Sequence, residues 1–184
     1  KGAKFAGIDI NNSKIITCHI GNGSSITAEV NGKVVDTSMG FTPLEGMIMG
    51  TRCGNVDANV IPYIMKKENL TPDQMTDIIN KKSGFLGLSE KTSDAREMDE
   101  LANAGDPKAK LVLKKLTYDI IKNIGSYVAV MNGVDLIVFT GGIGEHNSRL
   151  RRRVCENFSY LGLKFDYESN VAWGVDTMIS LPDS

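Results

Sequence analysis

The fold of this chain is decided by one stretch of sequence, DLIVFTGGIGE at residues 135–145. Residues 135–140 are almost all apolar, which is typical of a strand in the middle of a sheet that is covered on both faces. A glycine loop follows at once, and Asn147 then begins a predicted helix that reaches to about Leu161. A glycine loop between a buried strand and a helix is where α/β sheets hold nucleotides. A sharp strand-to-helix turn without a ligand explains the same glycines equally well.

Three β-branched runs near the start of the chain predict an antiparallel meander at residues 14–20, 24–30 and 33–39. Asn31-Gly32 is a strong hairpin signal, because both turn positions need a positive φ. The first turn has the sequence HIGNGSS at residues 19–25. Its glycines allow successive backbone N–H groups to point at one phosphate oxygen. A plain hairpin turn is the alternative, and the spacing by itself favours it.

Helical patterns fill the middle of the chain. Residues 71–74, TPDQ, form a capping box with proline at the first helical position, and Asp94 begins a second pattern of this kind. The longest helix is predicted near 107–132 from apolar residues that recur every three or four positions. Four further apolar residues widen this stripe, so we expect the helix to be buried on more than one side: Leu111, Tyr118, Ile121 and Val128. Strands, helices, a strand–glycine loop–helix unit and a last strand together predict a mixed-sheet α/β domain.

Composition excludes several classes of protein. The chain has 184 residues, of which 41% are hydrophobic and 23% charged, so it is no disordered tail. Lysine plus arginine is 21 and aspartate plus glutamate is 22, which gives no field to attract nucleic acid or a membrane surface. No apolar run approaches the length of a membrane span. Three scattered cysteines predict a reducing, cytoplasmic compartment, with neither a disulfide scaffold nor a zinc site.

Arginines are the candidate anion-binding side chains. Arg52 lies in a stretch interrupted by glycines, GTRCG at residues 50–54. Its guanidinium suits a bidentate clamp on a phosphoryl group or a carboxylate, and a surface ion pair is the alternative. A second group consists of Arg149, Arg151, Arg152 and Arg153. We expect this group to face water or to pair with acids rather than to bind a polyanion.

Five blocks of this sequence, in order, resemble the acetate kinase family. The blocks are IITCHIGNGSS at 15–25, DTSMG at 36–40, TPLEG at 42–46, MGTRCG at 49–54 and FTGGIGE at 139–145. The resemblance implies a ribonuclease-H-like domain of the sugar-kinase, actin and chaperone-ATPase superfamily, with a mixed sheet flanked by helices. It implies that residues 1–184 are a single nucleotide-binding domain, the second domain of a two-domain kinase. We therefore expect the first domain and the extreme C-terminus to be absent from this chain.

The resemblance also implies roles for particular residues. The phosphate loop would be His19, Ile20, Gly21, Asn22 and Gly23. The residues near the adenosine would be Asp94, Ala95 and Arg96, with Gly142, Ile143, Gly144, Glu145 and His146 forming the other adenosine-binding loop. Arg52 would be the catalytic arginine that faces the moving phosphoryl group. Many relatives carry Asn in place of His146 and a larger residue in place of Ala95. We expect no metal ligand in this chain, since the glutamate that helps to hold magnesium would lie beyond Ser184.

The implied activity is the reversible transfer of the ATP γ-phosphoryl group to acetate, giving acetyl phosphate and ADP. ATP/ADP and Mg²⁺ are the expected cofactors and a homodimer is the expected assembly, with this chain inactive by itself. Backbone N–H groups from the two glycine turns, helped by Arg52, would converge on the triphosphate. A propionate or butyrate kinase of the same family is one alternative, and a non-catalytic dimerisation or nucleotide-binding module is another. A dehydrogenase is disfavoured, because no GxGxxG follows the first strand.

Overall fold

The computed structural model describes residues 1–171 and 174–184, and its centre is a four-stranded mixed sheet. The strand order is β3-β2-β1-β4, with β1 antiparallel to β2 and parallel to β4. The strands are β1 Lys14–His19, β2 Ser25–Val30, β3 Lys33–Thr37 and β4 Leu136–Thr140. Helices flank this sheet in the chain order that the sequence predicts, so the α/β fold class with a mixed sheet is confirmed.

The turns of the meander follow from local sequence. Asn31 and Gly32 have φ values of 53° and 73°, which are the positive values that a two-residue hairpin turn needs. They connect β2 to β3, and Val30 pairs with Lys33 across the turn. At the other end of β2, the pair between His19 and Ser25 closes the glycine-containing loop of residues 20–24.

Eight α-helices lie in the described part of the chain. They are α1 Gly2–Phe5, α2 Val60–Glu68, α3 Pro72–Lys81, α4 Gly84–Ser89, α5 Ala95–Asn103, α6 Pro107–Met131, α7 Gly141–His146 and α8 Ser148–Cys155. The predicted capping box of α3 is present in both directions, because Thr71 and Gln74 each accept from the other's backbone N–H. The predicted end of α6 is also present, since Asn132 and Gly133 both have positive φ. None of these helices is long and apolar enough to cross a membrane.

The chain forms two compact units. The sheet unit consists of Lys1–Gly21, Ser25–Ser38 and Ile120–Ser184, and its core includes Ile16, Ile26 and Phe158. The helical unit consists of Asn22–Ser24 and Met39–Asp119, and its core includes Met47, Phe85 and Met98. The five residues of the sheet unit's strand β4 are half-buried rather than covered, because β4 is the edge of the described sheet.

Two predicted helices differ from the structure. Leu111 and Tyr118 of α6 are 54% and 62% exposed, so the expectation that they widen the buried stripe is wrong. Val128, from the same expectation, is buried and Ile121 is half-buried. The helix predicted from Asn147 to Leu161 is α8 followed by a short 3-10 helix, Glu156–Leu161. Within this 3-10 helix the backbone of Phe158 departs from helical geometry, with φ at −113°, while its side chain is buried.

Candidate functional site

In the sheet unit, the two glycine turns leave adjacent strands at the same edge of the sheet. Parallel strands β1 and β4 end together, with His19 paired to Thr140, and the backbone N–H of Ile20 donates to the Thr140 carbonyl at 2.8 Å. The loop after β1 and the helix after β4 therefore start side by side. The carboxyl ends of neighbouring parallel strands are where α/β sheets bind nucleotides.

The carbonyl oxygen of Ile20 connects the two turns. It accepts from the backbone N–H of Ile143 at 2.9 Å and from that of Gly144 at 3.0 Å. Gly141 makes this approach possible, because its φ is +80° and a Cβ there would lie 2.7 Å from the Ile20 oxygen. Residues 141–146 thus form the short helix α7 directly, where the sequence predicted a loop. The N–H groups of Ile143 and Gly144 already donate to the Ile20 carbonyl, so they do not point to a phosphate.

Gly142 presents an open backbone surface. A Cβ added to this residue would meet no atom within 4 Å, and the residue is exposed. His146 lies one helical turn further on, with its Nδ1 2.8 Å from the Gly142 carbonyl oxygen. Since a carbonyl only accepts, Nδ1 carries the proton in this contact. An exposed glycine surface of this kind allows a flat ring to lie directly against the main chain.

Arg151 holds the end of α7 in place through hydrogen bonds, a role that the sequence did not predict. It is only 5% exposed, and its Nη1 donates to the carbonyls of Gly144, at 2.9 Å, and Glu145, at 2.5 Å. Its Nε and Nη2 donate to the side chain and carbonyl of Asn170, both at 2.8 Å. Burial lowers the pKa of the Arg151 guanidinium. The expectation that the arginine run faces water is wrong for this residue, whereas Arg152 does pair with an acid, Glu156.

In the helical unit, Arg52 lies against Gly23, in the turn between β1 and β2. A Cβ on Gly23 would be 3.3 Å from the Arg52 Nη1, so the guanidinium covers this glycine closely. The same Nη1 donates to the Pro43 carbonyl at 3.3 Å. None of the ion pairs within residues 1–171 and 174–184 includes Arg52. The surface ion pair considered as an alternative is therefore not what the described residues form.

The loop that carries Arg52 is closed at its base and held along its length by main-chain bonds. Gly46 and Asn55 bond to each other at the base, through Gly46 N–H to the Asn55 side chain and Asn55 N–H to the Gly46 carbonyl. Further along, four backbone bonds join the loop to the end of α3 and the start of α4. They run from Cys53 to Ile79, Ser83 to Thr51, Phe85 to Met49 and Leu86 to Gly50, at 2.9–3.0 Å. The Arg52 loop is consequently a rigid part of the helical unit.

The start of α5 lies near the same turn. Asp94 caps this helix by accepting from the N–H of Arg96 at 2.7 Å, and its carboxylate also pairs with the Arg96 guanidinium. The hydrogen bond from the Arg96 guanidinium, together with the one from the Arg96 N–H, holds the pKa of Asp94 below its usual value. A Cβ on Gly50 would lie 3.0 Å from the Ser93 carbonyl and 3.6 Å from the Asn22 side-chain oxygen. Six of the predicted residues therefore belong to connected segments of one unit: Asn22, Gly23, Arg52, Asp94, Ala95 and Arg96.

The remaining predicted residues belong to the sheet unit, where His19, Ile20 and Gly21 lie beside Gly142–His146. Among the residues that the structure describes, no group of three or more His, Cys, Asp or Glu side chains has the arrangement to hold a metal ion.

The fold and the two glycine turns define a class of protein, the α/β domains built like those that bind nucleotide phosphates at parallel strand ends. A family profile then makes the assignment specific. The profile of the acetokinase family matches residues 1–184, and the chain belongs to this family.

Known relatives agree with the assignment over the whole chain. The acetate kinase of Carboxydothermus hydrogenoformans is 52% identical over 184 residues, which are 100% of this chain and 46% of the relative. The crystal structure of Porphyromonas gingivalis acetate kinase superposes with a TM-score of 0.96 at 43% identity, covering 99% of this chain and 46% of that one. A propionate kinase from Francisella tularensis superposes with a TM-score of 0.90 at 38% identity, covering 100% and 46%. The chain thus spans about half the length of the relatives it matches.

Proposed function

We propose that the full-length protein containing this chain is an acetate kinase, a phosphotransferase that moves the ATP γ-phosphoryl group reversibly to acetate. In this proposal the chain is the nucleotide-binding domain of a two-domain enzyme. The observation that carries the proposal is the approach of the Arg52 guanidinium to Gly23, within a glycine turn of a member of the acetokinase family. A positive charge that pairs with no acid among residues 1–171 and 174–184, held against a glycine backbone that allows close approach, suits a phosphoryl group.

Phosphoryl transfer requires positioning and neutralisation of charge, with little covalent chemistry from the protein. We assign the cradling of the nucleotide phosphates to the turn at Asn22 and Gly23. We assign to Arg52 the stabilisation of negative charge that develops on the equatorial oxygens during transfer. Acetate is already ionised at neutral pH, so its oxygen attacks without a strong general base.

Two segments are candidates for contact with the adenosine, one within each unit. In the sheet unit, the open surface at Gly142 offers backbone for a flat base, and the bonds from Arg151 keep α7 in place beneath it. In the helical unit, the capped start of α5 at Asp94, Ala95 and Arg96 is the second candidate contact. Its partial positive charge, shared by the first turn of any helix, favours a polyanion nearby.

Magnesium is expected to accompany ATP, where it would neutralise and orient the phosphate oxygens. Among the described residues, no cluster of carboxylate, thiol or imidazole groups fits a metal ion. We therefore assign no magnesium ligand to this chain and derive no step from the metal.

Kinetics of Arg52 variants in the full-length protein test the proposal. Replacing Arg52 with alanine should lower kcat for acetyl phosphate formation by ~10³ or more, the scale of arginines that stabilise phosphoryl transfer. Arg52→Lys keeps the charge without the planar fork, so its kcat should lie between those of Arg52→Ala and wild type. Arg153→Ala removes an exposed arginine elsewhere and serves as the matched control. Near-normal turnover of Arg52→Ala would remove this residue from the mechanism.

Propionate is the second candidate acceptor, because a propionate kinase superposes almost as well as the acetate kinase. An additional methylene in an apolar pocket changes discrimination by only ~1–3 kcal/mol, so the two acids should differ in kcat/KM by less than about 200-fold. Comparing kcat/KM for acetate, propionate and butyrate on the full-length protein determines the preference.

Assembly into a cytoplasmic homodimer is part of the same proposal. Leu111 and Tyr118 lie seven residues apart on α6 and are both exposed, so they supply apolar surface for a second copy. Sedimentation of the full-length protein should give twice the monomer mass, and a monomer at micromolar concentration would contradict this.

A further inference from the structure

We propose that Asp119 is a positioning residue that holds the Arg52 loop in its working geometry. The inference rests on the proposed function, since it concerns the arginine assigned to phosphoryl transfer. Asp119 lies on α6, is 8% exposed, and accepts from the backbone N–H of Ile48 through Oδ2 at 3.2 Å. This bond joins residues 71 positions apart in sequence, so it connects α6 directly to the loop.

Met49 connects Ile48 to Arg52, because it follows Ile48 in the chain and contacts Arg52. The backbone N–H of Met49 donates to the Arg52 carbonyl at 3.2 Å. The Met49 sulfur lies 3.7 Å from the Arg52 Nη1. Met49 is fully buried, and Ile48 is nearly so, which leaves this part of the loop little room to move. A shift of Ile48 therefore changes where the Arg52 guanidinium lies.

Asp119 differs in kind from the anchors that α3 and α4 provide. Those anchors are main-chain bonds, and they remain whatever side chain is present. The Asp119 carboxylate is a side-chain anchor, and it approaches the loop from α6. Its other oxygen, Oδ1, accepts from Lys115, one helical turn earlier, so the buried negative charge is compensated. Lys115 is 42% exposed, which allows its ammonium to turn to water if the carboxylate is removed.

The test uses variants of the full-length protein that separate the anchor from the ion pair. Asp119→Leu has nearly the same shape but accepts no hydrogen bond, so it removes both interactions. Lys115→Met removes the ion pair and leaves the bond to Ile48. Thr117→Val is the matched control, because Thr117 is similarly buried on the same helix and its hydroxyl donates to the Leu113 carbonyl of that helix.

We expect Asp119→Leu to lower kcat by ~10- to 100-fold, the cost of misplacing a catalytic group by about an ångström. KM for ATP should change less than about 3-fold, because the loss affects the transition state rather than nucleotide binding. Lys115→Met and Thr117→Val should retain kcat within about 3-fold of wild type, as substitutions that leave the Ile48 bond in place.

A double-mutant cycle distinguishes positioning from general destabilisation. In an Arg52→Ala background, Asp119→Leu should lower the residual kcat by less than about 2-fold, because there is no guanidinium left to misplace. Equal loss in both backgrounds, or wild-type kcat for Asp119→Leu, overturns the proposal. If Asp119→Leu does not fold, the compensated variant Lys115→Met/Asp119→Leu replaces it, and failure of both to fold assigns Asp119 to stability alone. Failure of the proposed function would appear separately, as absence of turnover in the wild-type protein.

Discussion

Replacing the buried Arg151 with methionine should destabilise the sheet unit strongly. Methionine keeps most of the apolar length of the side chain and removes the guanidinium. Four hydrogen bonds are lost, two to α7 and two to Asn170, at 2.5–2.9 Å. The acceptors they leave behind belong to Gly144, Glu145 and Asn170, of which Gly144 and Asn170 are buried.

The magnitude follows from opposing contributions. Hydrogen bonds to a charged group are each worth about 1.5–3 kcal/mol, so four of them amount to roughly 6–12 kcal/mol before compensation. Burial of the charge opposes this, as the lowered pKa of Arg151 indicates, and the methionine variant regains that cost. Breaking a buried charged network by removing one member costs about 3–5 kcal/mol in measured cases. A loss of about 3 kcal/mol corresponds to a fall in Tm of roughly 6–12 °C for a cooperatively unfolding domain of about 150–250 residues.

Thermal unfolding of the full-length protein measures this loss, and deuterium exchange at the amides of residues 141–146 localises it. Arg153→Met is the matched control, because Arg153 is an exposed arginine two residues away on the same helix. This control should change stability by less than about 0.5 kcal/mol. If Arg151→Met and Arg153→Met unfold at the same temperature and exchange alike, the bonds from Arg151 do not contribute to stability and the reasoning fails.

Two further predictions concern the cysteines and one glycine. Burial raises the pKa of the Cys155 thiol to about 12 and raises that of Cys18 further still. Alkylation of the native protein at pH 8 should therefore modify the half-buried Cys53 first. Peptide mass spectrometry identifies which cysteine is modified. Early modification of Cys18 or Cys155 would contradict the described core. Gly84→Ala should cost about 3 kcal/mol or more, because φ is +60° and a Cβ there would lie 2.1 Å from the Met49 carbonyl. Gly125→Ala in α6 should be neutral or stabilising, since a Cβ meets nothing there, and equal unfolding free energies for the two variants would refute the argument.

Features that depend on a few adjacent residues were predictable from the sequence. The Asn31-Gly32 turn and the capping box at Thr71 and Gln74 are examples, because the signal and the structure it specifies lie within four residues. The glycine-containing turn after β1 was predictable for the same reason, whereas the glycine loop predicted after β4 is the helix α7. Their meeting at Ile20 was not, since it depends on β1 and β4 being parallel neighbours.

Features that depend on distant partners could not be read from local patterns. Arg151 is one of several arginines in a polar run, and only Asn170, 19 residues away, and the carbonyls of α7 explain its burial. In the sequence, Asp119 is an ordinary acidic residue of a helix. Its hydrogen bond to Ile48, 71 residues earlier, exists only in the folded chain. Leu111 and Tyr118 fit an apolar period but face outward, because helical periodicity gives the spacing of a stripe and not its width.

The carbonyl oxygen of Ile20, which accepts two hydrogen bonds, bears on which side chains can change around it. Its junction with Ile143 and Gly144 consists of main-chain atoms, so its geometry does not depend on the side chain at position 20 or 143. Ile20 is fully buried, whereas Ile143 is half-buried beside the exposed Gly142. A substitution at position 143 can therefore alter the surface next to Gly142 while the main-chain bonds keep the two strand ends joined.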